Sequence, residues 1–497
     1  MRYYYPQRYG PEWGSGGIFG LTYHKGVLYY TVSMEAEAFF SRGDDTEEVY
    51  RFQYLGPGPS SGGDTYNAVD FVDDEIFFGG WVHNPAVFKG KVNGSGEIDF
   101  RNKYSHVHVY NISEHSIRLL WSESIHDEYK WAGEISQIIY DPIGDRLLLG
   151  RADGHVNLGI YSLPRRGGKP TVISDTPGLK GSLFLDYACF DMQPDWRRGI
   201  DGVQCVDLVN GRLLKHTIES WSRISVDGGP VELRGSGYAV SAYTRYFHFI
   251  RGGVLVGNPV EPWIEEPRFV RLFDFGRNPY APHRSNAIIL GGGILAPFNA
   301  YTHGLLHGFG LSLEEPGSQS VSLARYYNTI VGPSVLVYIT PPEARIVAAL
   351  GARVTSMTVK GDEVILGYSS APNLGGRDAM PVDAGVKGLM FIRKDALLTG
   401  SPPPLVFKVY GWMINNSYFG GIPLTGYREP RLVAYLSKPN KLVVYHYDLS
   451  LPPELLEQDT IALSKGKNTI DLKGYWSIVS FKLEESDPEA RIHLILN

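Results

Sequence analysis

Short stretches in which apolar and polar residues alternate make up most of this 497-residue chain, and clusters of Gly, Pro, Asn and Asp separate them. Residues 134–163 show the pattern most clearly, because three apolar runs there flank turn sequences at Asp141–Asp145 and Asp153–Gly154. Alternation with a period of two, bounded by turn residues, is typical of antiparallel strands joined by hairpins. This stretch is therefore predicted to form three consecutive strands.

The same strand–turn–strand pattern recurs along the chain. Further copies are predicted at residues 17–32, 67–82, 183–208, 238–256, 287–296 and 354–368. Such a small sheet cannot bury both of its faces alone, so repeated copies stack around an axis. The chain is therefore predicted to be an all-β propeller of seven blades, with eight as the alternative because more strands are predicted after Arg431. We expect residues 1–497 to form a single domain.

One short helix is predicted between Pro341 and Gly351, since prolines precede its first turn, Ala is frequent at its centre and Gly ends it. Strands are predicted again within residues 470–483. A propeller avoids free sheet edges when its ring closes. We therefore expect these late strands to pair with strands near the N-terminus.

Composition narrows the class of partner and the compartment. The net charge of −6 and the pI near 6.2 argue against nucleic acid as a partner, because phosphate binding needs clustered Lys and Arg. No apolar run has the length of a signal peptide core or a membrane span, so a cytoplasmic protein is expected. Few glutamines and 32 prolines favour a thermophilic source. Cys189 and Cys205 could pair, but two buried free thiols are the preferred interpretation.

The candidate site follows from overlaying the repeats. First strands of the blades start, and second strands finish, at the same end of a propeller, so residues at both positions share one mouth of the central channel. Tyr66 and Gly17 hold two of these positions. The titratable residues there are Glu134, His83 and His155, which we assign hypothetically to catalysis, and Arg284, Arg353, His303, Asp153 and Glu35, which we assign to ligand binding. The alternative is that these residues are ordinary solvated loop residues.

Three other motifs have plainer interpretations. The sequence from Gly291 to Ala296 matches G-x-G-x-x-A, but Pro297 prevents the helix that a dinucleotide site requires, so a hairpin turn is predicted. His106 and His108 lie on one strand face and are interpreted as part of a solvated polar face, in preference to a metal-binding pair. His303 and His307 are interpreted as loop histidines.

The residues from Arg8 to Gly20, together with Glu35–Ala38, Gly80–His83 and Trp131–Glu134, resemble a family of uncharacterised archaeal proteins predicted to be propellers. The resemblance extends along most of the chain. It implies an archaeal cytoplasmic source and a propeller fold, and it implies no activity or catalytic residue.

Without a nucleophile elbow, a P-loop or a CxxC sequence, the chain is predicted to be a binding or scaffold module for a protein or a small polar ligand. The alternative is an enzyme of hydrolase or lyase type that acts at the channel mouth on a sugar-like or organic-acid substrate. The sequence indicates no particular cofactor, metal or oligomeric state.

Overall fold

The chain folds into small antiparallel sheets that follow one another along the sequence. The computed structural model describes residues 17–33, 35–43, 46–56, 58, 60–85, 88–92, 95–98, 103–127, 129–193, 199–217, 223–233, 237–276, 280–282, 284–300, 331–369 and 387–497. Among these residues, seven sheets of three or more strands and one two-stranded sheet precede the first α-helix, and two more four-stranded sheets lie near the C-terminus.

The first three sheets are formed by residues up to Ser174. Sheet 1 contains β1 (Ile18–His24), β2 (Val27–Val32), β3 (Glu37–Arg42) and β4 (Glu47–Arg51). Sheet 2 contains β5 (Ser61–Gly63), β6 (Val69–Val72), β7 (Glu75–His83), β10 (Lys103–Asn111) and β11 (Ser116–Glu123), while β8 (Phe88–Val92) and β9 (Ser95–Ile98) form a separate two-stranded sheet. Sheet 3 contains β12 (Glu134–Asp141), β13 (Arg146–Ala152), β14 (Gly159–Pro164) and β15 (Thr171–Ser174).

Four more sheets continue the series. Sheet 4 contains β16 (Gly181–Phe184), β17 (Tyr187–Met192), β18 (Gly202–Asp207) and β19 (Leu213–Thr217). Sheet 5 contains β20 (Tyr238–Ala242), β21 (Arg245–Ile250), β22 (Gly253–Gly257) and β23 (Arg268–Arg271). Sheet 6 contains β24 (Ile288–Leu290), β25 (Gly293–Phe298), β26 (Ser334–Thr340) and β27 (Glu343–Leu350), and sheet 7 contains β28 (Arg353–Lys360), β29 (Glu363–Ser369) and β30 (Lys387–Arg393).

Hydrogen bonds near the first strands join each sheet to the next and sheet 7 to sheet 1. The joining pairs are Gly20 with Asn67, Asp70 with Tyr140, Ser136 with Gly178, Leu183 with Ser241, Tyr238 with Ala287, Asn286 with Met357, and Thr355 with Ile18. The last pair closes the ring. The fold is an all-β propeller, and the number of blades stays a prediction.

The two ends of the ring differ. At the turn end, where first strands end, short hairpins lie where the sequence predicts them, as at Lys25–Gly26, Asp141–Asp145 and Gly361. Gly291 and Gly292 form such a turn with φ values of +55° and +83°, so this glycine motif is a hairpin. At the mouth end, where first strands begin, connections are longer, as between Phe298 and Ser334.

The last two sheets stack beside sheets 5 and 6. Sheet 8 contains β31 (Leu405–Tyr410), β38 (Arg491–Leu496), β33 (Arg431–Leu436) and β36 (Gly466–Asp471), and sheet 9 contains β32 (Phe419–Pro423), β37 (Ile478–Leu483), β34 (Asn440–Tyr447) and β35 (Leu455–Leu463). One hydrophobic cluster includes Val254, Phe298, Phe407, Leu442 and Ile492 and so runs through sheets 5, 6, 8 and 9. This shared core supports our proposal that the chain is one domain.

The predicted pairing of residues 470–483 with the N-terminal strands is wrong. β36 pairs with β33, and β37 pairs with β32 and β34, so these strands complete the C-terminal sheets. The ring closes instead through the Thr355 side chain of sheet 7, whose hydroxyl accepts from the Ile18 N–H and donates to the Ile18 carbonyl in sheet 1.

The predicted helix between Pro341 and Gly351 is also wrong, because that stretch forms β27. Its Ala344 and Ile346 alternate into the core, and the whole strand pairs with β26. Burial and pairing therefore outweigh the helix propensity of alanine. The described α-helices are α1 (Lys394–Leu398) and α2 (Gly411–Ile414), and Phe52–Leu55 is a 3-10 helix. None of them has the length or apolar character needed to span a membrane, within the described residues.

Cys189 and Cys205 form a disulfide bond, so the preferred prediction of free thiols is wrong. The two residues face each other directly on β17 and β18 and are fully buried. Only the register of this hairpin brings them together, and spacing in the sequence does not define that register.

Candidate functional site: a charged cluster at the mouth

A tight segment from Asp64 to Ala68 lies across the mouth end of the ring. The backbone N–H groups of Tyr66 and Ala68 donate to the Asp64 carboxylate at 2.7 and 2.6 Å, which fixes the turn. Asn67 has a φ of +59°, a conformation that Asn tolerates better than most residues. Its side chain hydrogen-bonds to other parts of the ring.

Asn67 joins sheets that are distant in sequence. Its Oδ1 accepts from the Gly20 N–H at 2.8 Å, and its Nδ2 donates to the carbonyls of Arg284 at 2.6 Å and Thr355 at 3.1 Å. These partners belong to sheet 1, the segment before sheet 6, and sheet 7. The segment that carries Tyr66 is thus held at the centre of the mouth.

Tyr66 collects charged groups from three further sheets. Its hydroxyl donates to Asp153 Oδ2 at 2.8 Å, the Arg284 guanidinium carbon lies 4.8 Å from the ring centre, and Lys180 Nζ lies 5.7 Å from it. We call Tyr66, Lys103, Glu134, Asp153, Lys180 and Arg284 the mouth cluster. Asp153 and Arg284 are half-buried, whereas Tyr66 and Lys180 are buried.

Lys103 and Glu134 form the floor of the cluster. Lys103 Nζ donates to Glu134 Oε1, and both side chains are buried. The same ammonium lies 4.9 Å from the Trp81 ring and 4.6 Å from the Trp131 ring, so two indoles and one carboxylate surround it. Cation–π contacts of this kind favour the charged amine in a desolvated place.

The carboxyl group of Glu134 lies in the environment within the mouth cluster that points most directly to ligand binding. Its Oε2 is buried and makes no hydrogen bond within the described residues. Burial raises the pKa of Glu134 to about 7, with Asp153 adding to the rise and Lys103 and Arg284 opposing it. A carboxyl group with such a pKa can both donate and accept a proton near neutral pH.

Burial also shifts the pKa values of neighbouring groups. Burial raises the pKa of Asp64 to about 6 and lowers that of Lys180 to about 8, although the two interact favourably. Burial also raises the pKa of Tyr66 well above its usual value, so the phenol stays protonated. The cluster therefore mixes cationic, anionic and neutral hydrogen-bonding groups.

The two histidines assigned to catalysis lie beside the floor and the rim. His83 is buried, its ring centre is 5.1 Å from that of Trp81, and burial together with Lys103 holds its pKa well below the usual range. His155 is exposed, and its ring centre lies 4.3 Å from that of Trp131. Trp81 and Trp131, which both contact Lys103, therefore link the histidines to Glu134.

Glu35 and Arg353 belong to a second group at the mouth. Both act on the buried Lys387, whose pKa is lowered to about 8 by burial, with Glu35 opposing and Arg353 adding to the shift. Lys387 Nζ donates to the Ser33 carbonyl at 3.0 Å. The structure thus brings Glu134, Asp153 and Arg284 together and places Glu35 and Arg353 with each other. His303 lies outside the described residues.

Lys103, Lys180 and Asp64 are members or neighbours of the cluster that sequence reasoning missed. Lys180 precedes the first strand of sheet 4 just as Glu134 begins that of sheet 3, so the same positional rule finds it when sheet 4 is aligned. Lys103 begins β10, a third type of position that the rule does not include.

His106 and His108 are not on a solvated face, and that prediction is wrong. Both are fully buried, and their Nδ1 atoms are 3.1 Å apart. They pack against Phe52 and Phe78 because their side of sheet 2 faces sheet 1. Nowhere in the described ranges do three or more His, Cys, Asp or Glu side chains gather as a metal site would require.

Comparison with known proteins gives a family and a set of structural neighbours. The model of a family described as "Uncharacterized protein conserved in archaea (DUF2139)" matches residues 28–377. Among curated proteins, none matches the chain.

Three of the solved structures that match this chain are the following. Trypanosoma rangeli sialidase matches at 8% identity and a TM-score of 0.38, covering 97% of this chain and 91% of that one. Virginiamycin B lyase from Staphylococcus aureus matches at 8% identity and a TM-score of 0.41, covering 79% and 99%. The β-propeller domain of the Trilobed protease from Pyrococcus furiosus matches at 9% identity and a TM-score of 0.38, covering 77% and 96%.

Proposed function

The chain belongs to this archaeal family, and we propose that it binds a small polar ligand at the mouth cluster. The observation that carries the proposal is Glu134 Oε2, a buried carboxyl oxygen with no hydrogen-bond partner among the described residues. A buried polar atom left without a partner costs about 1–3 kcal/mol. A ligand hydroxyl or N–H group that reaches this atom removes the cost.

The surroundings of Glu134 support the same proposal. The buried floor of Glu134, Lys103 and Tyr66 lies below the half-buried Asp153 and Arg284. Ligand sites are typically apolar or aromatic walls with a few convergent polar groups. Trp131 supplies such a wall, and its Nε1 donates to the Asp153 carbonyl at 2.7 Å, which fixes the ring beside the rim.

The test is a thermal-shift screen of polar small molecules, followed by calorimetry of each molecule that stabilises the protein. We expect Glu134→Gln and Asp153→Asn to weaken binding at least tenfold, since each removes a carboxylate that the ligand would meet. Glu343→Gln changes an exposed glutamate at the turn end and is the matched control. A ligand that binds both mouth variants as tightly as the wild type contradicts the proposed site.

A second candidate function is acid–base catalysis at the same mouth, by an enzyme of hydrolase or lyase type acting on a sugar-like or organic-acid substrate. The specific observation in its favour is Glu134, whose pKa is raised to about 7 beside a second carboxylate, Asp153. Two neighbouring carboxyl groups in different environments are the usual basis of paired acid and base roles. If the protein is such an enzyme, the wild type should turn over a bound substrate, and Glu134→Gln should abolish this turnover while binding stays measurable. If the protein only binds its ligand, the wild type should show no turnover.

A further inference from the structure

The outward face of sheet 8 gathers basic residues on a chain whose net charge is −6. The inward side chains of this sheet, such as Phe407, Leu432 and Ile492, are buried in the hydrophobic cluster shared with sheets 5, 6 and 9. Alternate residues of the four strands point the other way, and most of them are exposed. We call this outward side the basic face, and its exposed basic residues are Lys408 of β31, Arg431 of β33, Lys467 of β36 and Arg491 of β38.

The strand register places aromatic rings and cations alternately along one row of the basic face. Tyr410 of β31 is opposite Arg491 of β38. Arg491 is in turn opposite Tyr435 of β33, and Tyr435 is opposite Lys467 of β36. Neighbouring strands lie about 4.8 Å apart, so the backbone positions of the two tyrosines are about 10 Å apart with an arginine between them. Tyr435 is 41% exposed, and the Tyr410 ring is stacked 6.3 Å from that of Trp412 at the end of the row.

The cations of the basic face lie close enough together to act on one another. Lys408 is opposite His493, which is half-buried in the next row. Burial lowers the pKa of His493, and Lys408 and Arg491 add to the shift because both oppose a further positive charge between them. Among the described residues, none of the four basic residues forms an ion pair. Their positive charge therefore remains available to a partner.

Carboxylates near the face do not cancel this charge. The acidic side chains on the face and at its border are Asp471, Glu429, Glu485 and Glu489. Glu429 is paired with Lys473 at 3.9 Å. Glu485 is paired with Lys438 at 2.7 Å. Four unpaired basic residues thus outnumber the two remaining carboxylates.

We propose that the basic face binds single-stranded nucleic acid. Such a strand repeats a planar base and a phosphate, and the row from Tyr410 to Lys467 alternates rings and cations in a matching way. An exposed four-stranded sheet can bind a strand by stacking bases on its aromatic side chains while basic residues neutralise phosphates. The acidic net charge argues against this partner only where basic residues are dispersed, and here four strands bring them to one surface.

Other anionic partners fit the basic face less well. A membrane surface is bound by a face whose large apolar side chains enter the lipid. The apolar outward residues here are Val406, Val433 and Ile495, and of these only Val406 is exposed. A double helix keeps its bases stacked inside, so it offers nothing to stack on Tyr435. The combination of exposed rings and cations therefore favours a single strand.

The test is a fluorescence-anisotropy titration of the full chain with labelled oligo-dT and oligo-U of ~15 nucleotides at several salt concentrations. A plot of log affinity against log salt should have a slope of about −3, because each neutralised phosphate contributes about −0.7. Arg491→Gln should weaken binding and reduce the size of this slope by about 0.7. Arg212→Gln is the matched control, because it removes an exposed arginine on sheet 4 and should leave both values unchanged.

A second pair of variants tests base stacking separately from charge. Tyr435→Ala should raise the dissociation constant about tenfold with the salt slope unchanged, since it removes a ring and no cation. Tyr435→Phe keeps the ring and should bind like the wild type. Tyr129→Ala, at a tyrosine that is 72% exposed near sheet 3, is the control and should have no effect.

Four outcomes overturn the proposal. The first is a wild type that binds neither oligonucleotide at low salt. The second is undiminished binding in Arg491→Gln and in Lys467→Gln, which repeats the charge test if Arg491→Gln fails to fold. The third is equal affinity for heparin with no effect of Tyr435→Ala, which would assign the face to polyanions in general. The fourth is binding of anionic vesicles, and of no oligonucleotide, that is lost in Arg491→Gln, which would assign the face to a membrane surface.

Discussion

Lys103 and Glu134 form a buried ion pair between two neighbouring sheets, with Lys103 at the start of β10 and Glu134 at the start of β12. Two charges that leave water together are costly, and their attraction offsets the cost only while both are present. The pair therefore couples the stability of sheet 2 to that of sheet 3, and it is also part of the candidate site.

Removal of one member of this pair is expected to destabilise the protein more than removal of both. Glu134→Leu leaves the Lys103 ammonium buried without its carboxylate and should lower the free energy of unfolding by about 3–5 kcal/mol. Adding Lys103→Met should recover most of that loss. Urea denaturation of the single and double variants measures this, and strictly additive losses would contradict the coupling.

Acid should destabilise the protein through His106 and His108. Burial lowers the pKa of His106 to about 3 from an ordinary value of 6.5, and it lowers that of His108 as well. Between these pH values the unfolded chain binds the proton and the folded chain does not. The stabilisation is thus complete above pH 6.5 and is lost as the pH falls towards 3.

The comparison of His106→Gln with the wild type isolates this effect. The stability of the wild type should fall more steeply with acid, by up to about 1.4 kcal/mol per pH unit for one group. Denaturation curves from pH 7 to pH 4 measure the difference. His155→Gln, at an exposed position, is the control substitution.

The side chain of Asn67 should contribute strongly to the stability of the protein, because it holds the mouth end of the ring together. Asn67→Gly keeps the positive φ without strain and removes three hydrogen bonds, two of them buried, so we expect a loss of about 3 kcal/mol. Asn67→Asp retains the acceptor for the Gly20 N–H but loses both donated bonds. Thermal unfolding of the two variants is the measurement. Equal stability of Asn67→Gly and the wild type would show that these bonds contribute nothing net.

The buried disulfide should stabilise the folded protein against unfolding. It links residues 16 positions apart, and closure of a loop of this size contributes about 3 kcal/mol in the chain-entropy description. Unfolding in the presence of a strong reductant should therefore occur at lower denaturant concentration. Cys189→Ala with Cys205→Ala should show the same loss and no further response to the reductant. Identical unfolding with and without reductant would contradict this.

Alternating apolar runs and turn residues were enough to predict the propeller and most of its hairpins. They failed where context decides the structure. Residues 343–350 form a strand because β26 offers pairing and a core that alanines can fill. His106 and His108 were placed on one face correctly, but only tertiary structure shows that sheet 1 covers that face.

The candidate site was predictable in part for a physical reason. Glu134, Asp153 and Arg284 lie at the mouth because strand direction alone decides the end of the ring that each one occupies. Distances within that end depend on loops, so the sequence could not separate the group around Tyr66 from the pair of Glu35 and Arg353. Lys103 was missed because it begins β10, the third strand of its sheet, and the positional rule covers only first and second strands.

The partners of Asn67 lie at residues 20, 284 and 355, so its hydrogen bonds exist only after the first and last sheets of the ring have met. A nascent or partly folded chain can contain finished hairpins but no Tyr66 held against Asp153 and Arg284. The proposed ligand site at the mouth would therefore exist only in the completed ring. Any ligand that binds there would bind only the fully folded protein, and it would therefore stabilise the closed ring and slow its unfolding.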